Sequence, residues 1–298
     1  MNYVPGRSIP VALVLVLLLS GCSTAPEIKT LDVSTLENLT YFGIYEEPVT
    51  LRHGSYEGEP FVPKGAARPR VQFAEPLYVI GDLDGDGVNE AAGFLTESSG
   101  GSGSYTYLAI VDSDNSQYKN VATQKLGDRV KVRALRLEQG RLELDMVTAA
   151  PQEAACCPTL KVHKSYRYAG GKLQQISSKE EGHISIQDLA GSWSLTHLAW
   201  NEPIPAEVKV DIVFEADKFS GLAGCNRYFG GIKGKGPRDL AFGPIGATRM
   251  MCPDPMMRVE DRYLQALQSV KQFSFMFGQL ALSYQDDKGW HTLLFTPK

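Results

Sequence analysis

Val208-Lys209-Val210-Asp211-Ile212-Val213-Phe214 sets Val208, Val210, Ile212 and Phe214 on one side of an extended chain and Lys209, Asp211 and Val213 on the other. Successive side chains of a strand face opposite ways, so this run reads as a strand with one buried face. Working outward from it, strands are expected at Lys218–Gly224, Leu240–Phe242, Gln279–Tyr284 and Thr292–Phe295, with Asp286, Asp287, Lys288 and Gly289 as the last turn. One helix interrupts them. Asp254 stands where a helix is capped, Pro255 suits the first helical position, and Val259, Tyr263, Ala266, Leu267 and Val270 recur at helical spacing. That apolar stripe is expected to pack on the sheet, giving one folded region over residues 184–298.

Upstream, residues 36–176 carry short apolar or alternating runs, among them Leu77–Ile80, Tyr105–Val111, Val130–Leu137 and Leu142–Met146, broken by Gly, Asp and Asn. These lengths and breaks predict a mainly β N-terminal domain with no amphipathic helix. The polar run Ser177, Ser178, Lys179, Glu180, Glu181, Gly182 marks the expected boundary between the two regions. Residues 22–35 are polar and read as a tether.

Residues 1–21 have the form of a secretory signal: one basic residue, Arg7, then an apolar run, Val11–Leu19, too short to span a bilayer. The run closes on Leu19-Ser20-Gly21-Cys22, which resembles the bacterial lipobox. That resemblance implies lipid modification of Cys22, a mature chain beginning there, and a membrane partner reached through acyl chains. Two or more chains make such an anchor durable, since a single one binds only marginally. Ser23 after the cysteine resembles sequences sorted to the outer membrane, so the expected location is the cell envelope, facing the periplasm.

Processing would leave about 277 residues, enough for two domains. They carry 29 basic against 34 acidic side chains, a balance of −5 that gives no electrostatic footprint for nucleic acid. Beyond Cys22 the cysteines are Cys156, Cys157, Cys225 and Cys252, which in an oxidising compartment allow three pairings.

Three separated motifs in the C-terminal region carry a resemblance. They are Leu189-Ala190-Gly191-Ser192-Trp193, then Phe219-Ser220-Gly221 with Gly224-Cys225-Asn226-Arg227-Tyr228, and Thr248-Arg249-Met250-Met251-Cys252 before the helix. Their order and spacing resemble the META/HslJ-like domain of heat-shock-inducible lipoproteins. The resemblance implies an α+β domain, antiparallel strands packed around one helix, in envelope proteins linked to stress tolerance, with no established catalytic mechanism. It makes Cys225 and Cys252 the expected disulfide pair. Gly221, Gly224 and Asn226 suit a bulge or tight turn. Met250, Met251, Met256 and Met257 are expected to fill the core near the helix start, ahead of the copper chemistry that thioethers also suit.

The sharpest signal in the N-terminal region is Gly81-Asp82-Leu83-Asp84-Gly85-Asp86-Gly87-Val88-Asn89-Glu90. Asp82, Asp84, Asp86 and Glu90, with the Val88 carbonyl, would converge alternate oxygens on a hard cation, and Ca²⁺ is the expected cofactor if the loop holds one. It is not an EF-hand loop, because the twelfth position is Gly93; it is similar to the calcium loops of integrin-type repeats, present here once. A metal-free Asp/Gly hairpin is the other reading of the same residues. The Ser98–Ser104 loop leads into a strand rather than a helix, which disfavours phosphate binding. Together with Gly127-Asp128-Arg129-Val130 and Cys156-Cys157-Pro158-Thr159, these segments are similar to an uncharacterised domain of envelope lipoproteins, which brings no activity.

Cys156 and Cys157 are adjacent. They could be a vicinal disulfide, two free thiols, or partners of the C-terminal cysteines, and the vicinal ring acting as a turn lock is the expectation. His53, His163, His183, His197 and His291 fall in no zinc-protease pattern, and no serine sits in a nucleophile elbow. The functional expectation is a non-enzymatic envelope lipoprotein that binds an envelope protein or small ligand, or supports envelope integrity under stress. A metal- or redox-responsive sensor is the alternative, and a hydrolase has the least support.

Overall fold

The segment 31–57 opens the folded chain in a computed structural model that describes residues 1, 31–114 and 117–298. Cys22 and the signal therefore lie outside the described residues. Asp32 caps a one-turn helix, α1 (Val33–Leu36), by accepting from the Thr35 amide at 2.9 Å. A short pair follows, β1 (Thr40–Tyr41) with β2 (Val49–Thr50). The strands β3 (Ser55–Glu57), β4 (Arg70–Gly81), β5 (Glu90–Ser98), β6 (Tyr105–Asp114) and β7 (Gln117–Asp128) then form a five-stranded antiparallel sheet in chain order. A second antiparallel sheet takes β8 (Lys131–Glu138), β9 (Arg141–Thr148), β10 (Leu160–Ala169) and β11 (Lys172–His183), again in chain order.

The central strand β5 explains how these layers stack. Its two faces alternate: Ala91 and Leu95 join a cluster with Leu36, Tyr41, Val49 and Leu51, under α1 and the β1–β2 pair. Ala92 and Phe94 face the other way, against Val132, Leu144, Met146 and Tyr168 of the second sheet. A strand covered on both faces has no polar side to show, so Ala91, Ala92, Phe94 and Leu95 follow one another without polar alternation. The polar run Ser177–Gly182, expected as a break, is instead the second half of β11, with Lys179 opposite His163 and Glu180 opposite Val162. Charge on this strand follows from its edge position, where exposed polar side chains deter pairing with other chains. The chain enters the C-terminal core at Ile184, just after β11 ends.

A 3₁₀ turn at Ile186–Leu189 leads into the C-terminal strands β12 (Gly191–Ala199), β13 (Glu202–Pro203), β14 (Val210–Glu215), β15 (Lys218–Ala223), β16 (Arg227–Lys233), β17 (Ala241–Phe242) and β18 (Gly246–Ala247). After the helix α2 (Met256–Gln268) come β19 (Val270–Met276), β20 (Gln279–Asp286) and β21 (Gly289–Pro297). The main path runs β17-β16-β15-β14-β12-β21-β20-β19, antiparallel throughout. At its ends an isolated bridge joins Asp239 to Gln272, and the Phe273 amide donates to the Arg238 carbonyl at 2.9 Å. The sheet thus nearly closes as a barrel. Val210, Ile212 and Phe214 point into its core with Tyr263 and Leu267 of α2, as the alternation and the helical stripe predict.

Two details of α2 differ from expectation. Pro255, not Asp254, holds the cap position, because its carbonyl accepts the first helical bond from Val259 at 3.1 Å while Met256 turns back to Pro253. Val270 begins β19; it is buried in the same core, so its hydrophobicity continued the stripe past the helix end at Gln268.

The β19–β20 turn also reaches the N-terminal region. Phe277 packs its ring on Phe94 at 5.8 Å between centroids, and the Gly278 amide donates to the Val132 carbonyl at 3.2 Å. The Arg133 guanidinium lies over the Phe275 ring and 3.2 Å from the Asp188 carboxylate, which Lys161 also reaches at 3.0 Å.

Candidate functional site

The acidic sequence forms the hairpin loop between β4 and β5, closed by the pairing of Gly81 with Glu90. Asp82 accepts from the amides of Gly85 at 2.6 Å and Gly87 at 3.0 Å, and Asp86 accepts from Val88 at 2.7 Å. Gly85 and Gly87 have φ of 87° and 89°, a left-handed conformation that costs glycine little. This folding draws one carboxylate oxygen each from Asp82, Asp84 and Asp86 to within 4.8 Å of one another. Like charges that close repel unless a cation or donors offset them.

Glu90 stands differently from the sequence expectation. Its side chain is 1% exposed and accepts from the Leu83 amide at 2.7 Å, so it braces the loop from behind rather than joining the three-oxygen group. Burial pushes its carboxyl up to about 7 against the lowering effect of that amide, and Asp112, Asp84 and Asp86 add to the rise. The Val88 amide donates to Asp86 at 2.7 Å. Asp112, on β6, and Tyr168, on β10, complete the surroundings: the Tyr168 hydroxyl donates to Asp112, and burial followed by that bond raises the tyrosine pKa. Sequence reasoning missed both, since only the register of β5 with β6, Ala91 opposite Val111, brings Asp112 beside Glu90.

A second polar cluster lies in the C-terminal barrel, at the mouth of α2. The Asn226 amide and side-chain nitrogen donate to the two oxygens of Glu260 at 2.7 and 2.8 Å, and the Cys225 amide donates to the same carboxylate at 3.2 Å. The Asn226 side-chain oxygen accepts from the Met250 amide at 2.6 Å and from the Thr248 hydroxyl at 2.8 Å. Cys225 is joined to Cys252, with Cα atoms 5.9 Å apart. Gly224 has φ of 107°, and a Cβ there would meet the Met256 carbonyl oxygen at 3.1 Å, so both conformation and space favour glycine. These contacts staple the 248–252 loop to the sheet and to α2. Met250 and Met251 do not fill the core as expected: Met251 is 96% exposed and Met250 56%, with Arg249 also exposed, while Met256 packs against the core. The loop is fastened through its backbone and Cys252, which frees its large side chains to face solvent.

Cys156 and Cys157 are free and exposed, which corrects the expected vicinal bridge. Adjacent Cα atoms lie about 3.8 Å apart, below the usual disulfide span, and the Cys157 amide is already held in a turn by the Ala154 carbonyl at 3.0 Å. Of the histidines, His163 sits between Asp145 at 2.7 Å and Glu143 at 2.9 Å, which raises its pKa, Asp145 most strongly. Between the N-terminal sheets and the barrel opens a cleft of about 670 Å³, lined among others by Glu75, Lys131, Trp200 and Phe277.

A nearly closed antiparallel barrel on one helix, stapled at the helix mouth by a disulfide and an Asn–Glu pair, defines a small α+β domain. Residues 187–297 match the family model of the META domain. Among solved structures the chain is similar to the NMR structure of a protein from Burkholderia xenovorans, 27% identical over 38% of this chain and 86% of that one, with a TM-score of 0.31. It is also similar to a second protein solved by NMR, 22% identical over 38% of this chain and 95% of that one, with a TM-score of 0.32. No curated protein matches the chain.

Proposed function

We propose that the protein is a lipid-anchored, non-enzymatic lipoprotein of the bacterial cell envelope that binds an envelope partner and supports envelope integrity under stress. The observation that carries this reading is the use made of the META signature. Cys225, Asn226, Thr248, Met250 and Cys252 turn on one another and on Glu260, so the signature builds a held loop that offers Arg249 and Met251 to solvent. A loop fixed in advance loses little conformational freedom on binding. The cleft beside Trp200 supplies a second concave surface for a small ligand. The lipobox resemblance at Leu19–Cys22 supports a lipid anchor, and Ser23 after it supports the outer membrane, facing the periplasm.

The test compares envelope permeability to a bulky antibiotic in cells with the protein, without it, and with Cys22→Ser. Loss of the protein is expected to sensitise cells under heat or detergent stress, and the Cys22→Ser chain, unprocessed and without lipid, is expected not to restore them. Unchanged permeability on deletion, or a diacylated N-terminus on the Cys22→Ser chain, overturns the reading.

The acidic loop favours a second role, a calcium-responsive N-terminal domain. Asp82, Asp84 and Asp86 would hold Ca²⁺ directly, with Glu90 fixing the loop behind them. An ion that binds only the folded state stabilises it by RT ln(1 + [L]/Kd), about 2.7 kcal/mol at a hundredfold excess over Kd. Calorimetric melting in saturating calcium is therefore expected to exceed that in EDTA. Equal midpoints would leave the loop a solvated turn.

A further inference from the structure

The loop between β9 and β10 carries the thiol pair on a fixed base. Glu153 accepts from the amides of Ala150 at 2.9 Å and Thr159 at 3.2 Å and from the Thr159 hydroxyl, clamping the two ends of the loop together. Pro158 is buried directly after the pair, while Cys156 and Cys157 are both exposed. Two cations from different parts of the fold favour the Cys157 thiolate: Arg238, at the seam where the barrel closes, and Lys131, at the start of β8. Neither has an ion-pair partner among the described residues. Lys131 is partly buried, and desolvation together with Arg238 and Arg129 lowers its pKa, so an anion next to it relieves a real cost. The two thiols are unequal. A hydrogen bond from Cys156 draws the Cys157 thiol down, with Arg238 and Lys131 adding to it against desolvation, and the same bond pushes Cys156 up.

We propose that Cys156–Cys157 is a thiol–disulfide exchange site for low-molecular-weight disulfides, in which Cys157 attacks and Cys156 resolves. The Cys157 thiolate attacks one sulfur of a disulfide RSSR, forming a Cys157–SR mixed disulfide and releasing RS⁻. Cys156, its proton passing to solvent, then attacks the Cys157 sulfur, forming the vicinal disulfide and releasing the second RS⁻. The protein dithiol is oxidised by two electrons and RSSR is reduced to two thiols. Closing a ring across adjacent residues is strained, and strained, exposed disulfides are the readily reduced ones, so the oxidised form passes its disulfide on easily. Attack depends on the thiolate fraction, which is where Lys131 and Arg238 act. This inference does not depend on lipid anchoring or on calcium.

The test incubates the reduced full-length protein, purified in detergent, with oxidised glutathione, quenches by alkylation and maps peptides by mass spectrometry. The wild type is expected to end with a disulfide inside the 156–157 peptide and no adduct. Cys156→Ser is expected to stop with one glutathione on Cys157, Cys157→Ser to react about tenfold more slowly, and Arg238→Ala to slow the capture by Cys156→Ser several-fold while melting like its parent. Equal rates for the two serine variants, two glutathiones on the wild type, or no reaction at all overturns the proposal.

Discussion

Alanine at Glu260 is expected to lower the stability of the META domain by about 4 kcal/mol, read as a shift in the urea midpoint of the C-terminal transition. The side chain is 5% exposed, and its carboxylate accepts from three nitrogens: the amides of Cys225 and Asn226 and the side chain of Asn226. Alanine leaves all three donors facing one another where water is excluded. Each such orphan costs about 1–3 kcal/mol, and hydrogen bonds to a charged group sit at the upper end, so three together outweigh the gain from no longer burying the carboxylate. Glu260→Gln separates charge from shape. It keeps one acceptor oxygen but turns an NH₂ towards a donor, and about half the loss is expected. A loss below about 1 kcal/mol in Glu260→Ala would mean that water reaches these donors and that the cluster does not hold the loop.

How much of this was legible in the sequence follows from where the information sits. The alternation at Val208–Phe214 could be read because β14 buries one face, and the stripe of α2 because one side of it enters the barrel. Glu260 could not be read that way. It follows Val259 in the sequence as any surface carboxylate might, and only the approach of Asn226 from the β15–β16 turn, 34 residues away, shows that it is buried. Ser177–Gly182 misled for the opposite reason, since an edge strand and a linker are polar on the same grounds. The three aspartates of the acidic loop converge by local chemistry alone, through turn glycines and side chains bonding to nearby amides, and the sequence suffices for that. The positions of Asp112 and Tyr168 depend on sheet register and on the packing of two sheets, which no local pattern carries. Residue type points Met250 and Met251 to the core, whereas the loop that holds them is fastened through its backbone and leaves both exposed.

Removing the Cys225–Cys252 bridge, by reduction or by serine at both positions, is expected to cost about 3.5 kcal/mol. The bridge closes a loop of 27 residues, and in the chain-entropy model a cross-link of that span acts mainly by restricting the unfolded chain. The native state should therefore survive the loss, because Thr248 and Met250 remain bonded to Asn226 and the Asn226 amide to Glu260. Far-ultraviolet circular dichroism should be unchanged while the urea midpoint falls. The unfolded chain, no longer tied, should expose more surface, so the denaturant slope should rise slightly. Coupling to Glu260 tells whether the bridge and the buried carboxylate serve the same element. Both fasten the 248–252 loop, one through Cys252 and the other through Cys225 and Asn226, and each still holds it when the other is gone, so the combined variant, which releases the loop, should lose more than the two separate losses together. Strict additivity would mean that the disulfide acts on the unfolded chain alone and that the loop needs only Asn226 and Glu260 to stay in place. Equal midpoints for oxidised and reduced protein would instead mean that native strain cancels the whole entropic gain, leaving the buried carboxylate as the principal fastening of the loop.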